Sequence, residues 1–184
     1  MKRNRLRRLI FYALCCDLGL FTKRLIAPMA NLITDSLHIP GGIGTSFSLM
    51  FLVIAAALTL QFGCATLMGA MQSVIALSLG MVGSMGALTP ISYIIPGLMI
   101  DCVIYISRKV RINDDVAMLA ANMLAAASAC LVANIINFHL RGVVLLLYVS
   151  VALTTGTVCG LLAGELASRI RPVIGAELRR NEQT

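Results

Sequence analysis

SLHIPGGIGTSFSLMFLVIAAALTLQFGCATLMGAMQSVIALSLGMVGSMGALTPISYIIPGLMI, the run from Ser36 to Ile100, contains no Asp, Glu, Lys or Arg. A helix crosses a bilayer with roughly 20 apolar residues, so the run holds most of three crossings with their turns. A soluble chain of 184 residues could not keep that much apolar sequence away from water. Composition agrees, with 59% hydrophobic and 12% charged residues and a mean hydropathy of +0.90. The expectation is an all-α, polytopic membrane protein.

Working outward, the charges gather at three places. The N-terminus carries five cations ending at Arg8, the middle carries Arg108, Lys109 and Arg111, and the C-terminal part carries Arg169, Arg171, Arg179 and Arg180. Short loops rich in Lys and Arg stay cytoplasmic during insertion. With both ends and the central basic loop inside, the number of crossings is even. The net charge of +7 then reports orientation and contact with anionic lipid, and nucleic acid is not an expected partner.

About six transmembrane helices follow, with both termini cytoplasmic. The expected spans are Leu9 to Ile33, Phe47 to Leu60, Cys64 to Val82, Ile91 to Ser107, Val116 to Asn137 and Val143 to Ala167. Gln61-Phe62-Gly63 reads as a tight turn and Gly83 to Pro90 as an external loop, by its Gly and Pro content. Asn113-Asp114-Asp115 offers N-caps for the fifth helix. Residues 1–184 form one membrane domain: a basic N-terminus (1–8), a bundle (9–167) and a cytoplasmic tail (168–184). A removed signal peptide competes for the first segment, but no small-residue cleavage site follows and Asp17 interrupts the apolar stretch.

Small residues at fourfold spacing let membrane helices approach closely. One stripe is Ala152, Gly156, Gly160 and Gly164; another is Ala117, Ala121, Ala125, Ala129 and Ala133; a third is Ala65, Gly69 and Ser73. They read first as packing within the bundle, and alternatively as a seat for a partner helix. The six cysteines have no metal-ligand spacing and read as soft packing residues. No hydrolase, zinc-protease or nucleotide-binding motif occurs, so no enzymatic activity, cofactor or metal is expected. His38 and His139 read as solvated loop residues at external helix ends.

Ionisable groups inside a bilayer are costly and mark candidate sites. Asp101 falls within the fourth span, either as a pocket anion or as a hydrogen-bonding anchor between helices. Lys23 and Arg24 interrupt the first span, lining a cavity or reaching to the outer interface. Asp17 lies deeper on that helix, and Glu165 has Arg169 four residues on as a partner. Asn31, Ser48, Gln72, Tyr93, Asp101, Asn134 and Asn137 are the candidate ligand-binding residues. Polar groups converging in an apolar cup suit a small ligand.

The pattern resembles the substrate-binding (S) components of energy-coupling factor (ECF) vitamin transporters along nearly the whole chain. Ala13-Leu14-Cys15-Cys16-Asp17-Leu18-Gly19-Leu20 is similar to that family's first helix, Ile39-Pro40-Gly41-Gly42 to its loop after helix one, and Ala55-Ala56-Ala57-Leu58 through Gly69 to its helix two–three hairpin. The thiamin/hydroxymethylpyrimidine (YkoE-like) branch is the most similar, through Pro96-Gly97-Leu98 with Asp101, Asn137 and the Gly156/Gly160 helix.

The resemblance implies capture of a vitamin-sized molecule in an externally open cup roofed by residues 35–46. It further implies a multi-pass location in the bacterial cytoplasmic membrane, and partnership with a transmembrane coupling subunit and two cytoplasmic ATPases. Ala13 and Asp17 occupy the coupling-subunit docking positions, and Asp17 departs from the family's alanine there. The third span has no acid and the chain has no Trp, so partners for a cationic thiazolium are few and a neutral pyrimidine or another vitamin stays open. Different classes of reading are a gradient-driven secondary transporter, for which Asp17 or Asp101 would be the coupling acid, and a non-transport membrane scaffold.

Overall fold

A computed structural model describes residues 2–37, 43–59, 61–80, 88–135 and 142–180, with side chains described within 9–26, 28–29, 44–59, 61–80, 88–135 and 142–172. These residues form six helices and no strands: α1 (Lys2–Leu37), α2 (Ile43–Thr59), α3 (Cys64–Ser78), α4 (Thr89–Val110), α5 (Asp114–Ala133) and α6 (Val143–Arg180). Each expected span overlaps one of them, but α3 ends at Ser78 with Leu79 and Gly80 in a turn, short of the expected Val82, and α4 begins at Thr89, within the stretch expected as a loop. The sixth continues beyond Ala167 as unbroken helix to Arg180, where a tail was expected.

Among the described residues, three helices are long and apolar enough to cross a membrane: α4, α5 and the Val143–Pro172 part of α6. α2 and α3 are shorter apolar helices. Their 17 and 15 residues rise only about 25 and 22 Å. α1 carries Asp17, Lys23 and Arg24 in its middle and falls outside both groups. Large apolar side chains nonetheless cover the outside: Leu14, Leu18, Phe21 and Leu25 on α1, Leu67 and Val74 on α3, Val158 and Leu161 on α6 are all exposed. An apolar surface this extensive is a liability in water and ordinary in lipid. The molecule has the surface of a membrane protein.

α2 occupies the centre and packs against all five other helices. Leu52, Val53, Ile54, Ala55 and Ala56 follow one another at 2% exposure or less, so every face of this turn is enclosed. A helix apolar all round belongs in such a position. Being screened from lipid, it need not match the bilayer's thickness. Cys16, Met68, Ile100, Met118 and Cys159 bring the other helices onto it and complete the core.

Glycines set the closest approaches. A β-carbon at Gly97 would lie 2.6 Å from the Ala65 carbonyl oxygen, and Gly69 faces the Tyr93 carbonyl, so α3 and α4 touch backbone to backbone. At Gly160 the β-carbon would fall 2.7 Å from Leu119 Cα, and at Gly156 2.9 Å from Met123 Cα. The α6 stripe therefore lies against α5, whose Ala117, Ala121, Ala125 and Ala129 are buried in turn. The small-residue stripes of α3, α5 and α6 are used up inside the bundle.

Helix ends follow their charges. Arg108 and Lys109 occupy the last turn of α4 and Asp114 and Asp115 the first turn of α5, each complementing the helix dipole. Asn113 takes the N-cap position of α5 without a side-chain cap bond. Arg111 closes α4 in the left-handed conformation at φ 61°. Arg171 on the extended part of α6 pairs with Asp114 at 2.7 Å, tying the two helices at the basic end, and Arg169 meets Glu165 at 3.0 Å as its spacing predicts.

Candidate functional site

The polar candidates separate into two levels of the bundle. α4 illustrates the separation, because Tyr93 stands near its start while Asp101 lies about 12 Å further along the axis.

At the upper level, Lys23 of α1 donates to the Tyr93 hydroxyl at 3.0 Å and lies 4.3 Å from the ring centroid. The half-buried ammonium thus has both a hydrogen bond and an aromatic face. Nearby along α1, Gly19 opens room for α2 and α3: a β-carbon there would meet Gln72 Nε2 at 2.7 Å and the Ser48 carbonyl at 3.2 Å. Gln72 is buried and donates to the Cys16 carbonyl at 3.2 Å. Ser48 is buried beside it. Ser46 of α2 meets Thr155 of α6 at 3.2 Å, hydroxyl to hydroxyl. The structure brings Ser48 and Gln72 together across Gly19, and gives Tyr93 a partner in Lys23.

On the α5 side, Asn122 donates to the Gly156 carbonyl at 2.9 Å while its Oδ1 is buried without a partner among the described residues. Asn134 turns back on its own helix, donating to the Cys130 carbonyl at 2.8 Å. The expected contributions of Asn31 and Asn137 lie outside the described side chains; of the expected roof at residues 35–46, residues 35–37 end α1 and 43–46 begin α2, so it is not one loop, and 38–42 lie outside the described segments.

At the lower level, Asp101 reaches the start of α3. Its Oδ1 accepts from the Ala65 N–H at 3.1 Å, and its Oδ2 from the Thr66 N–H at 2.8 Å and the Thr66 hydroxyl at 2.6 Å. α3 needs this, because its N-cap is Gly63 at φ 87°, which offers no side-chain acceptor. Seven residues on, Arg108 Nη2 donates to the Ala56 and Ala57 carbonyls at 3.2 and 3.1 Å, closing the end of α2. α4 thus caps both inner ends of the α2–α3 hairpin, with an anion at the helix start and a cation at the helix end, as the dipoles require. Between Asp101 and Arg108 opens a cavity of about 390 Å³, also bounded by Gln61, Phe62, Tyr105 and Lys109.

Thr66, Gln61 and Arg108 were not singled out as site residues from the sequence. One signal was available: Asp101 and Arg108 are seven apart and share a face of α4. Ala13 and Asp17 are both exposed on α1, and Asp17 has no hydrogen bond or ion pair among the described residues. No group of three or more His, Cys, Asp or Glu able to hold a metal occurs among the described residues. No protein-family model, curated protein or solved structure matches this chain.

Proposed function

We propose that this chain is the substrate-capturing membrane component of an ATP-driven vitamin transporter of the energy-coupling factor type, crossing the bacterial cytoplasmic membrane six times with both termini inside. It binds a vitamin-sized molecule, with thiamin or its hydroxymethylpyrimidine precursor favoured by the resemblance, and a transmembrane coupling subunit with two ATPases supplies the energy. Ser48, Gln72 and Tyr93, with Lys23, are the upper-level groups this reading assigns to the ligand, joined by Asn31, Asn134 and Asn137. Lys23 would equally suit an anionic vitamin.

The observation that carries the proposal is the outer face of α1. The stripes on α3, α5 and α6 are consumed within the bundle, whereas Ala13 and Asp17 stand side by side, exposed, among Ile10, Leu14, Leu18 and Phe21. Asp17 has no partner among the described residues, and an acid on an apolar membrane face is stabilised by a protein partner rather than by lipid. The resemblance implies a coupling subunit at this position, where Asp17 departs from the family's alanine. Asp101 is less suited to gradient coupling, because both of its oxygens are engaged at the start of α3.

Native mass spectrometry of the protein purified alone tests the capture step. A bound thiamin or hydroxymethylpyrimidine supports the mechanism and the branch, and a different vitamin keeps the mechanism and discards the branch. Protein that stays empty after incubation with a vitamin panel removes the proposal. Ala13→Leu tests the docking face: uptake is expected to fall while ligand binding persists, and equal loss of both would sink that assignment.

A further inference from the structure

The polar side chains lining the lower cavity are mainly hydrogen-bond donors. Its one acid, Asp101, has both oxygens committed to α3. Gln61 Oε1 is likewise engaged, accepting from the Tyr12 hydroxyl at 3.2 Å. Among the described residues, no hydrogen bond is made by Gln61 Nε2, the Tyr105 hydroxyl, Lys109 Nζ, or Arg108 Nε and Nη1. These belong to two cations, an amide and a phenol lining one cavity of about 390 Å³. Around one cavity, such groups are complementary to an oxygen-rich anion.

Its surroundings specify the anion further. Phe62 and Tyr105 meet edge to face at 5.5 Å and are 64% and 56% exposed, an aromatic pair of the kind that settles at headgroup level. Arg111 follows in the same basic segment without lining the cavity, and Leu67 in the first turn of α3 is exposed.

We propose that this cavity binds a phosphate group, with the headgroup of an anionic phospholipid as its source: the phosphate is held by Lys109, Tyr105, Gln61 and a remaining N–H of Arg108, and the acyl chains run over Phe62 and Leu67. The site is independent of the vitamin pocket and of the transport reading. Free phosphate shares the chemistry and is the other source to be distinguished.

The test uses the full chain, stripped of lipid in detergent and titrated with phosphatidylglycerol, phosphatidylcholine or inorganic phosphate, with adducts counted by native mass spectrometry. Phosphatidylglycerol is expected to bind in preference to phosphatidylcholine. Lys109→Ala should weaken it about fivefold, while Arg111→Ala, an equal charge change outside the cavity, should weaken it less than about twofold. Tyr105→Phe keeps the ring against Phe62 and removes only the donor, and should also weaken binding. Competition by inorganic phosphate that Lys109→Ala abolishes would assign the site to phosphate from either source. Lipid binding without such competition would assign it to the headgroup. Equal losses in Lys109→Ala and Arg111→Ala would overturn the proposal in favour of a diffuse basic surface, as would no preference between the two lipids together with no phosphate binding.

Discussion

An aspartate within a membrane helix keeps its place only where the protein replaces its water shell, and Asp101 draws three donors from the start of α3. Asp101→Ala removes the acceptor and leaves those donors unmatched; it should cost about 3 kcal/mol. Asp101→Asn retains one acceptor oxygen and should cost about half of that. Thermal unfolding in detergent, with both variants beside the parent, checks the order. The acid was legible in the sequence as an intramembrane charge requiring a partner. Its partner was not, because two of the three donors are backbone N–H groups, which every residue but proline carries. Arg108 hid for the same reason: its partners are the carbonyls of Ala56 and Ala57. Asn122 is the converse case, since a lone Asn in an alanine-rich helix is visible and half of its bonding is accounted for by Gly156.

Among the elements, the fourfold spacing of Gly and Ala pointed to packing within the bundle without saying which helices meet, and the glycines of α6 lie against the α5 backbone. Gly160→Ala places a methyl against the Leu119 backbone and Gly97→Ala one against the Ala65 carbonyl, neither of which can swing aside. Each should destabilise by about 1–3 kcal/mol. Ala13→Leu enlarges a side chain on an open face and should change stability by less than about 0.5 kcal/mol. Melting temperatures of the three variants, measured together, check the contrast; a loss at Ala13 equal to that at Gly160 would mean that α1 is covered. The centrality of α2 was not readable. α2 and α3 arise from one charge-free run, and nothing in their composition separates a helix enclosed by five others from one that shows Leu67, Met71 and Val74 outside. Enclosure depends on all the neighbours at once.

For the molecule as a whole, charge-free length was enough to indicate helices in a membrane, and the exposed apolar surface agrees with it. The proposed six-span topology makes a sided prediction. In a cysteine-free background, Lys109→Cys should react with an impermeant thiol reagent only from the cytoplasmic side, and His139→Cys only from outside. Labelling of both from one side would require an odd number of crossings between them to be abandoned. The capping of α2 and α3 by α4 also has a consequence for how the protein is made. The ribosome delivers the hairpin before the residues that close its ends, so until Asp101 and Arg108 emerge the hairpin waits in the translocon's neighbourhood with open N–H and C=O groups that lipid does not satisfy. A nascent chain halted just before Asp101 should therefore be cleared by membrane proteases, and one halted beyond Arg111 should persist. Assembly of this bundle becomes a matter of timing, with α4 as the event that releases the first half of the chain from quality control.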